Sequence, residues 1–384
     1  MMMKTKMKRA ILLAVSIAAA NSAWALEPAS FNLGPFAATP TLTLTHSYDD
    51  NFRANNDAES SSISQIEPGI SLSAESNKSR YILSYSFVHD YFHSKSSLNN
   101  TDHFVAASAD WEFDVRNRLN AYYDFAKTED VADTNVPGVN DRFSNHNLGA
   151  GYVFGAPSAR MNLEFGADHA RKRTDNNVNF DKERNTDSIK GIFYYRVAPK
   201  TQLLTEVRRA EFDYRSNSAL DSHNMTYLAG VRWEATAFTT GTAKIGRVKK
   251  DFKDSSKADK SSSSWEVNAI WQPLTYSTFN LGLNRGIDEG DDGADSIKTT
   301  RTSLDWTHNW SSFISTKVDL SHTDKDYDSI NRSDTIKSAG FGVTYDLRRW
   351  MDITLGYQYT DKSSSLASES YDRNIYKLQL NVAL

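Results

Sequence analysis

The 384-residue chain contains no cysteine, which excludes a disulfide framework, a thiolate metal site and a cysteine-linked lipid anchor. Only 39% of it is hydrophobic and its mean hydropathy is −0.57, too polar for a thick two-layer core, yet 18 Tyr, 19 Phe and 8 Trp concentrate the apolar material in large interfacial side chains. With 44 basic against 48 acidic residues the chain is net acidic, which argues against a nucleic-acid partner.

The first segment reads as a leader. Lys4, Lys6, Lys8 and Arg9 form a basic start, Ala10 to Ala20 is an apolar run, and Ala23-Trp24-Ala25 is an A-x-A cleavage site. The pattern predicts a secretory signal peptide over residues 1–25, cut before Leu26, and a mature domain over 26–384. Without the four basic residues the count is 40 against 48, a net charge of −8. No later apolar run approaches the roughly 18 residues that a membrane helix needs.

From there one unit recurs: an alternating segment, a short turn, a second alternating segment and a longer polar stretch. At Tyr81, Leu83, Tyr85 and Phe87 the apolar positions alternate with Ile82, Ser84, Ser86 and Val88. The period of two returns at Leu119 to Phe125, Met225 to Trp233, Trp265 to Trp271, Ala339 to Leu347 and Ile353 to Tyr359. In the closing stretch "RNIYKLQLNVAL", Tyr376, Leu378, Leu380, Val382 and Leu384 alternate with Lys377, Gln379, Asn381 and Ala383. Helical spacing fits none of these segments.

Two classes of connection alternate. Tight ones carry turn residues: Asn77-Lys78, Gly155 to Ser158, Ala198 to Lys200, Pro273 to Tyr276 and Trp310 to Ser312. Long ones, such as Asp49 to Ser62, Glu129 to Arg142, Thr174 to Arg184 and Asp251 to Ser262, are rich in Asp, Asn, Ser and Lys. An even number of strands, about eighteen, with short turns at one end and longer loops at the other predicts an all-β fold: a transmembrane antiparallel barrel of the bacterial outer membrane. Trp111, Trp233, Trp271, Trp306, Trp310 and Trp350 stand near strand ends, where girdles meet the headgroups. A soluble β-sandwich is the rival, but its loops would be comparable at both ends and its strands shorter. The last strand is expected to turn Tyr376 to Leu384 toward lipid and to close on the first near Thr41 to Tyr48. Such a terminal strand is also what the barrel assembly machinery recognises, although Leu384 stands where Phe is usual.

The stretch "FNLGPFAATPTLTLTHSYDDNFRANND" followed by "ISQIEPGISLSAESNKSRYILSYSFVHDYF" resembles the opening of the putative β-barrel porin 2 family. The matching residues are Thr39-Pro40, Tyr48-Asp49-Asp50-Asn51, Ile66-Glu67-Pro68 and Arg80 to Tyr85. The resemblance implies an exit conduit for exopolysaccharide or capsule. It also implies as partners a polysaccharide chain and a periplasmic polysaccharide-export protein, beside the assembly machinery and the outer-membrane lipid that the barrel reading itself expects. A general or solute-specific porin for small hydrophilic molecules is the alternative.

Catalytic patterns are weak. The nine histidines are scattered over separate hairpins, with no H-x-x-x-H helix and no G-x-S-x-G elbow, so no enzyme, cofactor or metal is expected. "DDNFRANNDAE" offers oxygen ligands without the glycine and spacing of a calcium loop, and reads as a solvated surface. Five aromatic-Asp pairs, at Tyr48, Phe180, Phe212, Tyr327 and Tyr371, read as a girdle with an outward charge. If apolar residues face lipid, alternation turns Asp110, Glu112, Asp124, Glu164 and Asp168 into the lumen, followed by Lys190, Arg196, Arg208, Arg232 and Lys244. That predicts an acidic wall beside a basic one as the pore lining. Charge pairing that only keeps the interior wet is an equal reading. No loop is long enough to predict a plug or a deep constriction.

Overall fold

A computed structural model describes residues 30–384 apart from 135–138, 177 and 237. The expected leader, residues 1–25, lies outside the described residues. The strands are β1 (Phe31–Leu33), β2 (Phe36–Asp49), β3 (Ser61–Glu75), β4 (Ser79–Phe92), β5 (Asn100–Asp114), β6 (Asn117–Asp130) and β7 (Asp141–Phe154). They continue with β8 (Met161–Thr174), β9 (Arg184–Ala198), β10 (Thr201–Tyr214), β11 (Ser222–Thr236), β12 (Thr239–Phe252) and β13 (Lys260–Leu274). The last are β14 (Ser277–Glu289), β15 (Ser296–Asn309), β16 (Ile314–Tyr327), β17 (Arg332–Arg348), β18 (Met351–Ser364) and β19 (Tyr371–Ala383).

Each strand from β2 to β19 pairs antiparallel with its sequence neighbour, and β19 then pairs with β2, from Ala383 opposite Thr41 to Ile375 opposite Asp49. The result is a closed barrel of eighteen strands, with β1 laid against the start of β2 from Phe31 opposite Ala38 to Leu33 opposite Phe36. Closure leaves no unpaired ladder edge facing hydrocarbon, which is the condition for crossing a membrane with strands. No described helix is long and apolar enough to cross one.

The alternation read from sequence is realised as two faces. On β4, Tyr81, Leu83, Tyr85 and Tyr91 are exposed, while Ile82, Ser84, Ser86, Val88, Asp90 and Phe92 are buried. The outward face is the lipid face. A strand of 14 residues such as β4, rising about 3.3 Å per residue and tilted by about 40°, reaches about 35 Å along the barrel axis, against an apolar band of about 25 Å. The surplus explains the outward ion pairs at the loop end of β10 to β12, such as Lys253 with Asp213 at 2.6 Å and with Glu211 at 3.0 Å. They stand above the lipid.

At the opposite end the tryptophans gather. Rings of Trp271 and Phe279 lie 5.0 Å apart, Phe279 and Trp306 6.0 Å, Trp306 and His308 5.6 Å, and His308 and Trp310 4.3 Å, a continuous outward belt. The indole N–H groups of Trp111, Trp306 and Trp310 donate to Tyr81, Ser277 and Thr316 at 2.9 Å each, so the polar edge of each ring is satisfied. Gly155, at φ 118°, makes the turn between β7 and β8 that a side chain would strain.

Inside, the lining is less uniformly polar than alternation predicts. Val88, Phe104 and Ala126 form one apolar cluster on the inner wall, and Ile192, Tyr194 and Leu204 another. The nine longer connections are L1 (50–60), L2 (93–99), L3 (131–140), L4 (175–183), L5 (215–221), L6 (253–259), L7 (290–295), L8 (328–331) and L9 (365–370). Phe52 of L1 and Val131 of L3 pack with Ile63, Phe92 and Leu98, and Asp133 N–H donates to the Arg53 carbonyl at 2.7 Å. These loops fold onto one another, although strands β3 to β6 separate their bases.

Candidate functional site

The strand register places all ten candidate lining residues on the inward face. Asp110 lies opposite Arg80 and Asn120, Asp124 opposite Ala106, Glu164 opposite Ile192, and Arg208 opposite Lys190. The ion pairs carry the same orientation: Arg208 of β10 reaches Glu266 of β13 at 3.2 Å, a contact across three strands that only the concave side permits.

The two walls are not opposed fields. Glu164 binds Lys190 at 3.0 Å and accepts the Tyr194 hydroxyl at 3.1 Å, so acidic and basic candidates meet at their border. Glu206, almost fully buried, is held between Arg208 and Lys244, and both cations also contact Glu266. Glu206 is the centre of a neutralised cluster, supplying Arg208 and Lys244 with a counter-charge in a partly desolvated interior. Asp168 accepts from Tyr122 and from Ser188, the latter at 3.2 Å.

Arg196 turns to the strand end. Its guanidinium donates to the carbonyls of Ala159, Pro157 and Pro199 and so staples two turns. Arg232 lies over the Tyr194 ring at 5.6 Å. Among the described residues Asp110, Glu112 and Asp124 make no ion pair, although Arg80 and Arg118 stand opposite the first two in the register.

A second set of charges, absent from the sequence reading, crosses the loop end. Asp133 of L3 binds Lys362 of β18 at 3.2 Å, and the order β6-β5-β4-β3-β2-β19-β18 separates their strands. Lys362 shares Glu369 of L9 with Arg332, at 3.3 and 2.9 Å. Arg332 also holds Asp334 at 2.8 Å and Asp292 of L7 at 3.0 Å. The neighbouring Asp291 crosses the other way to Lys182 of L4. The chain of contacts runs from L3 through β18, L9 and β17 to L7 and on to L4, around and across the mouth.

The expectation of no constriction is therefore corrected. Loops of modest length suffice because their carboxylates and the wall's long cations each cover part of the distance. L7 can turn inward because Gly293 takes φ 85° and Asp292 φ 53°. Only spatial assembly brings these residues together, and a run of two aspartates between glycines, "GDDG" at 290–293, was the one local signal.

The charges in the mouth tune one another. Burial pushes the Asp291 carboxyl up, but Lys182 and then Lys172 outweigh it and hold it at about 2. Burial raises Asp292, the adjacent Asp291 raises it further, and Lys182 and Arg332 do not compensate, so it stays above the usual carboxylate range. For Asp133, burial is overcome by Lys362, which keeps it below its ordinary value. Two adjacent carboxylates thus differ in proton affinity because Asp291 pairs directly with Lys182, whereas at Asp292 burial and the charge of Asp291 outweigh its cations.

The aromatic-Asp pairs also divide. Tyr327 is buried inside and donates to Asp334 at 3.0 Å, and Asp49 turns inward while Tyr48 faces out, so the pairs are not one girdle. Asp49 and its neighbours are a seam latch rather than a solvated surface. Arg373 of β19 grips both Asp49 oxygens through Nε at 3.0 Å each, and Asp50 accepts Asn374 N–H and Nδ2 at 2.7 Å each. Asn51 donates to the Asp372 carbonyl at 3.1 Å. No described group of three or more His, Asp or Glu is placed to hold a metal ion.

The family model described as putative beta-barrel porin 2 matches residues 25–384. No curated protein matches the chain. Among solved structures, the FrpB iron transporter from Neisseria meningitidis (F3-3 variant) is similar with 11% identity and a TM-score of 0.45, over 87% of this chain and 62% of that one. This chain thus spans less than two thirds of that protein. The outer membrane protein opdK from Pseudomonas aeruginosa aligns at 10% identity and a TM-score of 0.46, over 90% of this chain and 98% of that one. The siderophore receptor PirA from the same organism aligns at 8% identity and a TM-score of 0.44, over 90% and 80%. A closed antiparallel barrel with an apolar outer face and a match to a porin family places the protein in the bacterial outer membrane.

Proposed function

We propose that this chain, which belongs to the putative beta-barrel porin 2 family, is an outer-membrane channel serving as the exit conduit for a secreted exopolysaccharide or capsule. The observation that carries the reading is the inner wall, where charge and polarity are spread over rows on many strands rather than gathered in one deep pocket. A hydrated, flexible polymer passes such a wall through many weak, replaceable contacts. The partners that fit are a periplasmic polysaccharide-export protein at the turn end, the polymer inside and lipid outside, with β19 read by the assembly machinery. No enzymatic step is assigned to the protein.

A second reading, a porin for small hydrophilic molecules, has one observation in its favour. The L3–L7 charge bridge narrows the mouth, as a selective porin requires. Deletion of the gene separates the two. The conduit reading expects surface polysaccharide to disappear while cytoplasmic precursors remain. Normal surface polysaccharide with loss of uptake of a small solute would establish the porin instead.

A further inference from the structure

We infer that Lys172, Lys182 and Arg184 form a carboxylate-binding subsite at the loop end of the inner wall, in which Asp291 of L7 holds Lys182 as a tethered competitor. The inference rests on the channel reading above and names what its mouth selects. Lys172 of β8 and Arg184 of β9 are direct cross-strand partners, both turned inward. Like charges so placed repel and cost stability. Among the described residues neither makes an ion pair. Lys172 lies 4.1 Å from the Phe143 ring and Arg184 5.7 Å from the Tyr214 ring, so each is packed against an aromatic face.

The missing anion comes from far around the barrel. Asp291 binds Lys182 of L4 directly. L7 starts beside β14, and the order β8-β9-β10-β11-β12-β13-β14 separates it from Lys172. A carboxylate delivered by a six-residue loop with a glycine at each end of its Asp-Asp pair is held by its charge contacts. Lys182, two residues before Arg184, therefore already binds a carboxylate, and a carboxylate on the transported molecule competes for it while meeting the cross-strand pair of Lys172 and Arg184. Displacing Asp291 frees L7 from L4, which links occupancy of the subsite to opening of the mouth.

The test is isothermal titration of the full-length barrel, folded in detergent, with oligogalacturonate, galacturonic acid and neutral maltohexaose. Asp291→Asn removes the competitor and is expected to tighten oligogalacturonate binding about tenfold. Adding Lys172→Gln and Arg184→Gln in that background is expected to weaken it by about tenfold or more, since each lost contact is a charge-assisted one. Lys172→Gln alone, checked for folding by heat-modifiable migration, gives a milder version if the triple variant fails to fold. Preference for the oligomer over the monomer assigns the carboxylate to an acidic polymer, and equal binding per carboxylate assigns it to small acids. An Asp291→Asn barrel that binds no more tightly, lysine and arginine substitutions without effect, or maltohexaose bound equally well would each overturn the subsite. The readout is affinity on purified protein, so it is independent of the deletion phenotype that tests the conduit.

Discussion

The seam between β19 and β2 is the one ladder of the barrel that no hairpin holds together, and Asp49 with Arg373 is its latch. Asp49 is 1% exposed and the Arg373 side chain 12%, so neither charge is repaid by water if the other is removed. Arg373→Met keeps the aliphatic bulk and deletes the guanidinium. Stranding a buried carboxylate this way costs about 3 kcal/mol, roughly a hundredfold in the folding equilibrium. Asp49→Asn strands the guanidinium and is expected to cost a similar amount. The double variant Asp49→Asn/Arg373→Met strands neither, so it is expected to fall short of the summed losses by about 1.5 to 3 kcal/mol. Urea unfolding of barrels refolded in lipid vesicles, followed by tryptophan fluorescence and by heat-modifiable migration, measures all three. Arg373→Met within about 0.5 kcal/mol of the parent, or a double variant that loses the full sum, would refute the latch.

Leu380 and Val382 lie opposite Leu44 and Leu42 on the outward face of the seam, so replacing both with Asp is expected to cost a few kcal/mol and to abolish the heat-modifiable band. An epitope at Asp254 in L6 is expected to be reachable on intact cells and one at Pro199, between β9 and β10, only after permeabilisation; the opposite result would invert the barrel. In the mouth, Asp292 binds a proton more readily with L7 folded in than free, because burial and Asp291 oppose its charge. Acidification through that raised value is thus expected to favour the folded-in loop. Asp291 works the other way: its contribution is complete above the ordinary carboxyl range and is lost as pH falls toward about 2. Bilayer conductance is expected to drop as pH falls into the carboxyl range, and Asp292→Asn to remove that drop; a parent channel with no such drop contradicts the assignment.

The barrel was legible in the order of residues alone. Period-two alternation from Tyr81 to Tyr376, two alternating classes of connection and tryptophans near strand ends are local properties. Each follows from one strand having one face in lipid and one in water. The same alternation turned Asp110 through Lys244 inward without any knowledge of neighbours, because facing depends only on parity. Partnership does not. Whether Glu206 interrupts a basic wall or neutralises Arg208 and Lys244 depends on register between strands, and Arg196 could not be told from a lumen charge until the turns it staples were in place. The mouth was least legible, since Asp133, Lys362, Arg332, Asp291 and Lys182 meet only after closure brings L3, L4 and L7 around one opening. Tyr48-Asp49-Asp50-Asn51 was recognisable as a motif but not as a latch. Its partners, Asp372 to Asn374, stand at the other end of the chain, and only the closed ring puts the two ends side by side.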